Sequence, residues 1–253
     1  MLPDRKHASL ISLDDVAETR GVPGWMLDEV AHAGRENLDR EHVARYDDKE
    51  DAGAEAEVRV LEGLGLNAAS TVLDLGTGTG QFALAVAPRC RRVVAIDVSP
   101  VMLARLGSKI GTREVPNIEC VEAGLLTYEH VGEPADFAYS RLALHHLPDF
   151  WKAIALVRIH DALRPGGVLR LSDVVYSFDP DDAPARLEAW CATGEADIGT
   201  SWTRPELEEH VRDEHSTFTW LLEPMIAKAG FGIDDLSYSR DGLLASYVLR
   251  KGP

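Results

Sequence analysis

Cysteine is scarce in this chain, and the few present exclude several chemistries. Cys90, Cys120 and Cys191 are odd in number and far apart, so no disulfide framework, zinc knuckle or iron–sulfur motif follows from them. Long hydrophobic runs are missing too: none approaches the ~20 residues that a membrane span needs. The first twenty residues carry Asp4, Asp14, Asp15 and Glu18, not the apolar stretch of a signal peptide. A reduced, cytoplasmic protein with no membrane partner is expected. Basic excess is also lacking. The 253 residues hold 26 Lys and Arg against 42 Asp and Glu, a net charge of −16. Residues 1–57 carry 7 basic and 15 acidic side chains, residues 178–215 carry 3 and 11, and the remainder balances at 16 and 16. Such segments repel a polyanion, so no nucleic acid partner is expected. They read as solvated, solubilising surface or as a bias toward an uncharged or cationic substrate. Oligomeric state is not legible in any of this.

What is present is an alternation of elements. Residues 1–57 read as helical, broken early at Gly21, Pro23 and Gly24. Five short β-rich runs follow: 71–75, 92–97, 117–121, 135–140 and 168–175. Helical stretches separate most of them. One runs from Gln81 to Ala87 and stops at Pro88. Another opens at Ser99-Pro100, with serine as N-cap and proline in the first turn. A third, Phe150 to Leu163, places Trp151, Ile154, Val157 and Ala162 on one side and stops at Arg164-Pro165-Gly166-Gly167. Strand and helix alternating in this way predict βαβ units and a mostly parallel, doubly wound α/β sheet covered on both faces. The alternation lapses after 178. It resumes with a helix over 218–229 and two strands joined by Arg240-Asp241-Gly242, a hairpin signal.

The informative stretch is Val72-Leu73-Asp74-Leu75-Gly76-Thr77-Gly78-Thr79-Gly80. Glycine at 76, 78 and 80 lets the backbone turn sharply and lets a ligand approach main-chain N–H groups. Asp97 follows 21 residues after Gly76, at the end of the next strand, where a carboxylate can accept both hydroxyls of a ribose. A dinucleotide fingerprint would need glycine at 81; this chain has Gln81. Asp74, two residues before the first glycine, suits an ammonium group better than a pyrophosphate. An ammonium beside an adenosine is what S-adenosylmethionine presents.

With Val94 to Met102, Leu142-Ala143-Leu144-His145-His146-Leu147 and Leu163 to Gly167, this stretch resembles the class I S-adenosylmethionine-dependent methyltransferases. The resemblance covers about 57–177 and 217–250. It implies a Rossmann-like, seven-stranded sheet with the last strand antiparallel. It also implies a division into a helical cap (1–57), a cofactor-binding core (58–177), a lid insertion (178–216) and a C-terminal part of the core (217–253). Carried over by position, Asp74, Gly76, Thr77 and Gly78 would hold the amino acid moiety of the cofactor and Asp97 its ribose. Val98 and Met102 would pack on adenine. Gly124, before Leu125, stands where the family often has an aspartate that contacts the adenine amino group. Ser140 and Arg141 would lie near the sulfonium, and Tyr46 would close over the cofactor.

Methyl transfer is an in-line displacement, so the protein must mainly align the nucleophile and exclude water. A base, where one is needed, favours histidine. His145 or His146 could serve, or simply start a helix; Asp173, at the end of the fifth strand, points toward the same cleft. His42, His210 and His215 lie in the two acidic segments. Trp190, Trp202 and Trp220 could line an apolar pocket or anchor the lid. No metal is expected, because Ser140-Arg141 stands where a catechol-type site would need acids. The leading expectation is methylation of a small-molecule acceptor. The others are methylation of a protein or RNA, and cofactor binding without transfer.

Overall fold

A computed structural model of the chain describes residues 23–49, 53–194 and 202–253. Its strands are β1 (Thr71–Leu75), β2 (Arg92–Asp97), β3 (Ile118–Glu122), β4 (Ala135–Arg141), β5 (Leu163–Tyr176), β6 (Thr217–Phe218), β7 (Phe231–Tyr238) and β8 (Leu244–Lys251). The sheet runs in the order β3-β2-β1-β4-β5-β8-β7, with the two-residue β6 pairing beside β5. β8 is antiparallel to both of its neighbours, and the pairings among β1 to β5 are all parallel. The seven-stranded path with its last strand reversed is therefore the expected one.

Residue alternation explains why the sheet is covered on both sides. Leu73, Leu75, Val94 and Ile96 face one buried cluster; Val72, Val93 and Ala95 face the other. Successive side chains of a strand point to opposite faces, so a strand apolar throughout needs helices above and below. The helices are α1 (Arg35–Leu38), α2 (Arg40–Lys49), α3 (Ala54–Gly63), α4 (Gln81–Val86), α5 (Pro100–Arg113), α6 (Asp149–Ala162), α7 (Ala183–Cys191), α8 (Arg204–Asp213) and α9 (Thr219–Lys228). Helix α3 runs across position 57 and sends Val58 and Leu61 into the second cluster. Ser99 caps α5 by accepting the Met102 N–H, with Pro100 in the first turn.

Two expectations need correction. β5 begins at Leu163 instead of 168, and Arg164 to Gly167 form an irregularity in its pairing with β4, with Gly166 at φ 72°. The proline–glycine run stops the helix as read, yet the chain enters the sheet at once. Helix α6 buries Lys152, Ala155, Leu156 and Ile159, while Ile154 and Val157 are exposed. Lys152 can sit inside because its ammonium donates to Asp149 Oδ1 at 2.7 Å and to the His215 carbonyl. A lysine with its charge satisfied supplies an apolar stem, which inverts the face that hydropathy alone selects.

Candidate active site

The carboxyl ends of β1 and β2 open onto the glycine loop. Gly76 and Thr77 both donate to the Ile96 carbonyl at 2.9 Å, which folds the loop back over β2. Asp97 Oδ2 accepts the Gly78 N–H and Oδ1 the Ser99 N–H, each at 2.8 Å. Its carboxylate is thus fixed in orientation, with lone pairs left for the cleft. Gly76, Gly78 and Gly80 all hold positive φ. A Cβ on Gly76 would lie 2.5 Å from Ala143 Cβ, whereas one on Gly78 would meet nothing nearer than Tyr46 Cε1 at 4.0 Å. Gly76 therefore serves close packing, and Gly78 leaves room for a ligand. Asp74 is buried and accepts the Thr77 hydroxyl at 2.6 Å. Burial pushes its carboxyl up to about 7, which a neighbouring cation would reverse.

Three side chains and backbone groups of the N-terminal segment are stitched to this cleft. Glu29 accepts from the Leu126 N–H at 3.0 Å and the Thr127 hydroxyl at 3.3 Å. Burial raises its pKa and these donors oppose the rise. Its carboxyl group fills the space where a Cβ on Gly124 would fall, 2.2 Å away. The Ser99 hydroxyl donates to the Asn37 carbonyl at 2.6 Å. Asp47 accepts from the Thr79 hydroxyl and lies 2.7 Å from Lys109 Nζ. The enclosed volume lined by Glu29, Asn37, Asp97, Val98 and Gly124 is only about 90 Å³.

Next to it lies a cavity of about 470 Å³. Asn37, Tyr46, Arg141, Leu142 and His146 line both spaces. Leu142 sits at φ 51°, a left-handed conformation that costs a non-glycine residue about 1–2 kcal/mol. Its N–H donates to the Ser172 carbonyl at 2.9 Å. The far wall is built from the second acidic segment: Trp190, Trp202, Glu206, Glu209, His210 and Glu214. Behind it, Asp173 accepts from the Leu144 and Val174 N–H groups at 2.8 and 2.7 Å and from His145 Nδ1. Burial would lower the His145 pKa, but the Asp173 and Glu214 carboxylates outweigh it and push it up to about 10. Burial and the His145 charge bring His146 down to about 3. Glu214 Oε2 lies 2.9 Å from His145 Nε2 and 2.5 Å from His210 Nδ1.

Comparison with known proteins decides the family. A family model described as "Methyltransferase domain" matches residues 72–167. An uncharacterized methyltransferase of Mycobacterium bovis is 30% identical over 156 residues, 56% of this chain and 75% of that protein. The chain belongs to the class I S-adenosylmethionine-dependent methyltransferases. A carboxy-S-adenosyl-L-methionine synthase of Chromohalobacter salexigens is 29% identical over 78% of this chain and 76% of that protein. Among solved structures, the N-methyltransferase NodS of Bradyrhizobium japonicum, with S-adenosyl-L-homocysteine, matches at TM-score 0.59 and 17% identity, over 90% of this chain and 100% of that one.

S-adenosylmethionine is the cofactor of this methyltransferase, and the residues suit it: an open glycine backbone at 78, a fixed carboxylate at 97 and a buried, uncompensated one at 74. Tyr46, Asp74, Gly76, Thr77, Gly78 and Arg141 line one end of the methyltransferase cleft; Asp97, Val98, Gly124 and Leu125 line the other. Some expected residues do not reach it. Met102 and Ser140 are fully buried and line neither space. Met102, the third residue of α5, is buried with Leu103 and Leu106 on that helix. Asp173 lies beneath His145 and not in the cleft, because its oxygens are taken by backbone N–H groups and that imidazole. Trp190 and Trp202 line the cavity, whereas Trp220 is 55% exposed and outside it. The His215 ring lies tilted against that of His32, with centroids 5.5 Å apart. Sequence reading missed Glu29 and Glu214, each one acid in an acid-rich segment. The glycine at 124 was the available signal for Glu29, since it marks a vacancy that another carboxylate can fill.

Proposed function

We propose that this methyltransferase acts on a small, uncharged or cationic acceptor held in the cavity of about 470 Å³. One observation carries the reading: that cavity is of ordinary ligand size and shares the Tyr46–Arg141–His146 wall with the cofactor cleft. Its lining has Asp39, Glu206, Glu209 and Glu214 against the arginine at 141, and two indole rings. Acids repel an anionic acceptor, and the aromatic faces favour an amine or a flat apolar ring.

When bound, the cofactor supplies an electrophilic methyl group on a sulfonium. Asp74 would pair with the ammonium, Asp97 with the ribose hydroxyls. Glu29 would take the part of the missing aspartate at Gly124 and accept the adenine amino hydrogens, while Val98 covers the ring. Tyr46 and Arg141 stand at the border of the two spaces and would align the acceptor. His146 and Glu214 form the polar wall facing it, with Asp173 and His145 holding that wall in place. The two acidic segments exclude water from the displacement. A cytoplasmic location belongs to the same reading.

The test is an incubation of the full chain with S-adenosylmethionine and a panel of amines, phenols and carboxylic acids, followed by mass spectrometry of both products. Release of S-adenosylhomocysteine with an amine or neutral phenol supports the reading. Turnover only with carboxylic acids, or a cofactor recovered with added mass as the Chromohalobacter relative's name describes, overturns it.

A further inference from the structure

We propose that His145, His146 and Glu214 form a divalent transition-metal site in the wall of the acceptor cavity. Their ligand atoms lie within 4.8 Å of one another. All three residues line the cavity.

Several independent features converge on an ion here. His146 Nδ1 and Glu214 Oε2 are buried and have no aligned hydrogen-bond partner among the described residues. Buried polar atoms are ordinarily satisfied, and each exception calls for a water, an ion or a function. Glu214 Oε2 crowds two imidazole nitrogens, at 2.9 and 2.5 Å, without the alignment of a hydrogen bond to either. Ligands on an ion at about 2.0–2.1 Å in tetrahedral array stand about 3.3 Å apart. His145 Nε2 and Glu214 Oε2, 2.9 Å apart, need to part by only a few tenths of an ångström to share an ion, and His146 brings a third donor atom within 4.8 Å of both.

The surroundings match as well. His145 gives its Nδ1 to the buried Asp173 carboxylate, which leaves Nε2 directed at Glu214. A carboxylate behind a ligating imidazole fixes its tautomer and raises its basicity, as is usual for metal-bound histidine. Asp173 is itself locked by the Leu144 and Val174 N–H groups. The donor set is imidazole and carboxylate with no thiolate. It suits zinc, manganese, iron, cobalt or nickel better than magnesium or calcium, which prefer oxygen donors. The expectation of no metal rested on Ser140-Arg141; these ligands come instead from the turn after β4 and from the end of the second acidic segment.

Placed there, the ion would face the acceptor and coordinate its oxygen or nitrogen beside the residues that border the cofactor cleft. This role rests on the acceptor reading above; the site itself does not.

The test needs no acceptor. The full chain is stripped with a chelator, dialysed and titrated with cobalt(II), whose visible d–d absorption reports ordered coordination. One equivalent is expected to bind with these bands. His146→Ala and Glu214→Gln should each weaken binding at least tenfold, and Asp173→Asn about 10- to 100-fold. His130→Ala, remote from the cavity, should change nothing. Calorimetry with S-adenosylmethionine shows that each variant is folded. Absence of stoichiometric cobalt binding, or binding unaltered in both His146→Ala and Glu214→Gln, overturns the site and leaves a proton-linked network only. Either result leaves the acceptor panel unaffected.

Discussion

Asp74 carries two opposed demands. Its carboxyl is buried and titrates near 7, well above the 3.8 of a free aspartate. The folded protein therefore holds a proton that the unfolded chain has released, and stability from this group falls as pH rises between about 4 and 7. Binding an ammonium needs the ionised form, so affinity runs the other way. Cofactor binding should weaken toward tenfold per pH unit below about 7. Asp74→Asn should raise the melting temperature at about pH 8, by ~2–4 °C for each kcal/mol recovered, and lose at least tenfold in cofactor affinity. Thermal melts and calorimetry across pH check both. A melting temperature unchanged at high pH would show that the carboxylate is not strained by burial. Stability conceded for binding is common at functional positions.

At the scale of elements, the strand–loop–strand unit from 71 to 97 does most of the work, and its glycines divide into two kinds. Gly78→Ala should fold nearly as well as the native chain, at a cost of about 1 kcal/mol for its positive φ, and bind cofactor far more weakly. Gly76→Ala, facing Ala143 Cβ at 2.5 Å, should lower the melting temperature clearly. Equal melting temperatures for the two would contradict this division. The unit was legible because its signals are local: three apolar residues around Asp74 in β1, glycines at fixed spacing, an acid at the end of β2. What was not legible arises from contacts distant in sequence. Glu29 meets Leu126 across 97 positions, and nothing near residue 29 marks it among fifteen acids in residues 1–57. Glu214 is hidden in the same way. The buried side of α6 was misread because the partners of Lys152 include a carbonyl 63 residues away. The direction of Asp173 was misread because strand position fixes which end a side chain occupies, not which neighbours claim its oxygens.

At the scale of the whole molecule, the core and the two acidic segments have different tasks. The sheet and its helices fix the carboxylates at 74 and 97. The segments supply the walls: Glu29, Asn37 and Tyr46 from one side, Trp190, His210 and Glu214 from the other. The α8 end of the second segment is secured by a capping box at Thr203 and Glu206 and by ion pairs from Arg204 to Glu188 and Glu208. The first segment is held to the cofactor cleft by Glu29, Asn37 and Asp47 and to helix α6 by the stacking of Trp25 on Trp151. This bears on turnover, because Glu29, Asn37 and Asp47 brace the segment against the cofactor cleft by hydrogen bonds. Release of the demethylated product is then expected to be eased by whatever loosens that brace. Rapid mixing should show a burst of about one methylated acceptor per enzyme before a slower steady rate, and Glu29→Gln, by loosening the brace, should speed the slow phase and shrink the burst. A linear time course from the first turnover would mean that the clock of this enzyme is set by bond-making and not by the opening of its door.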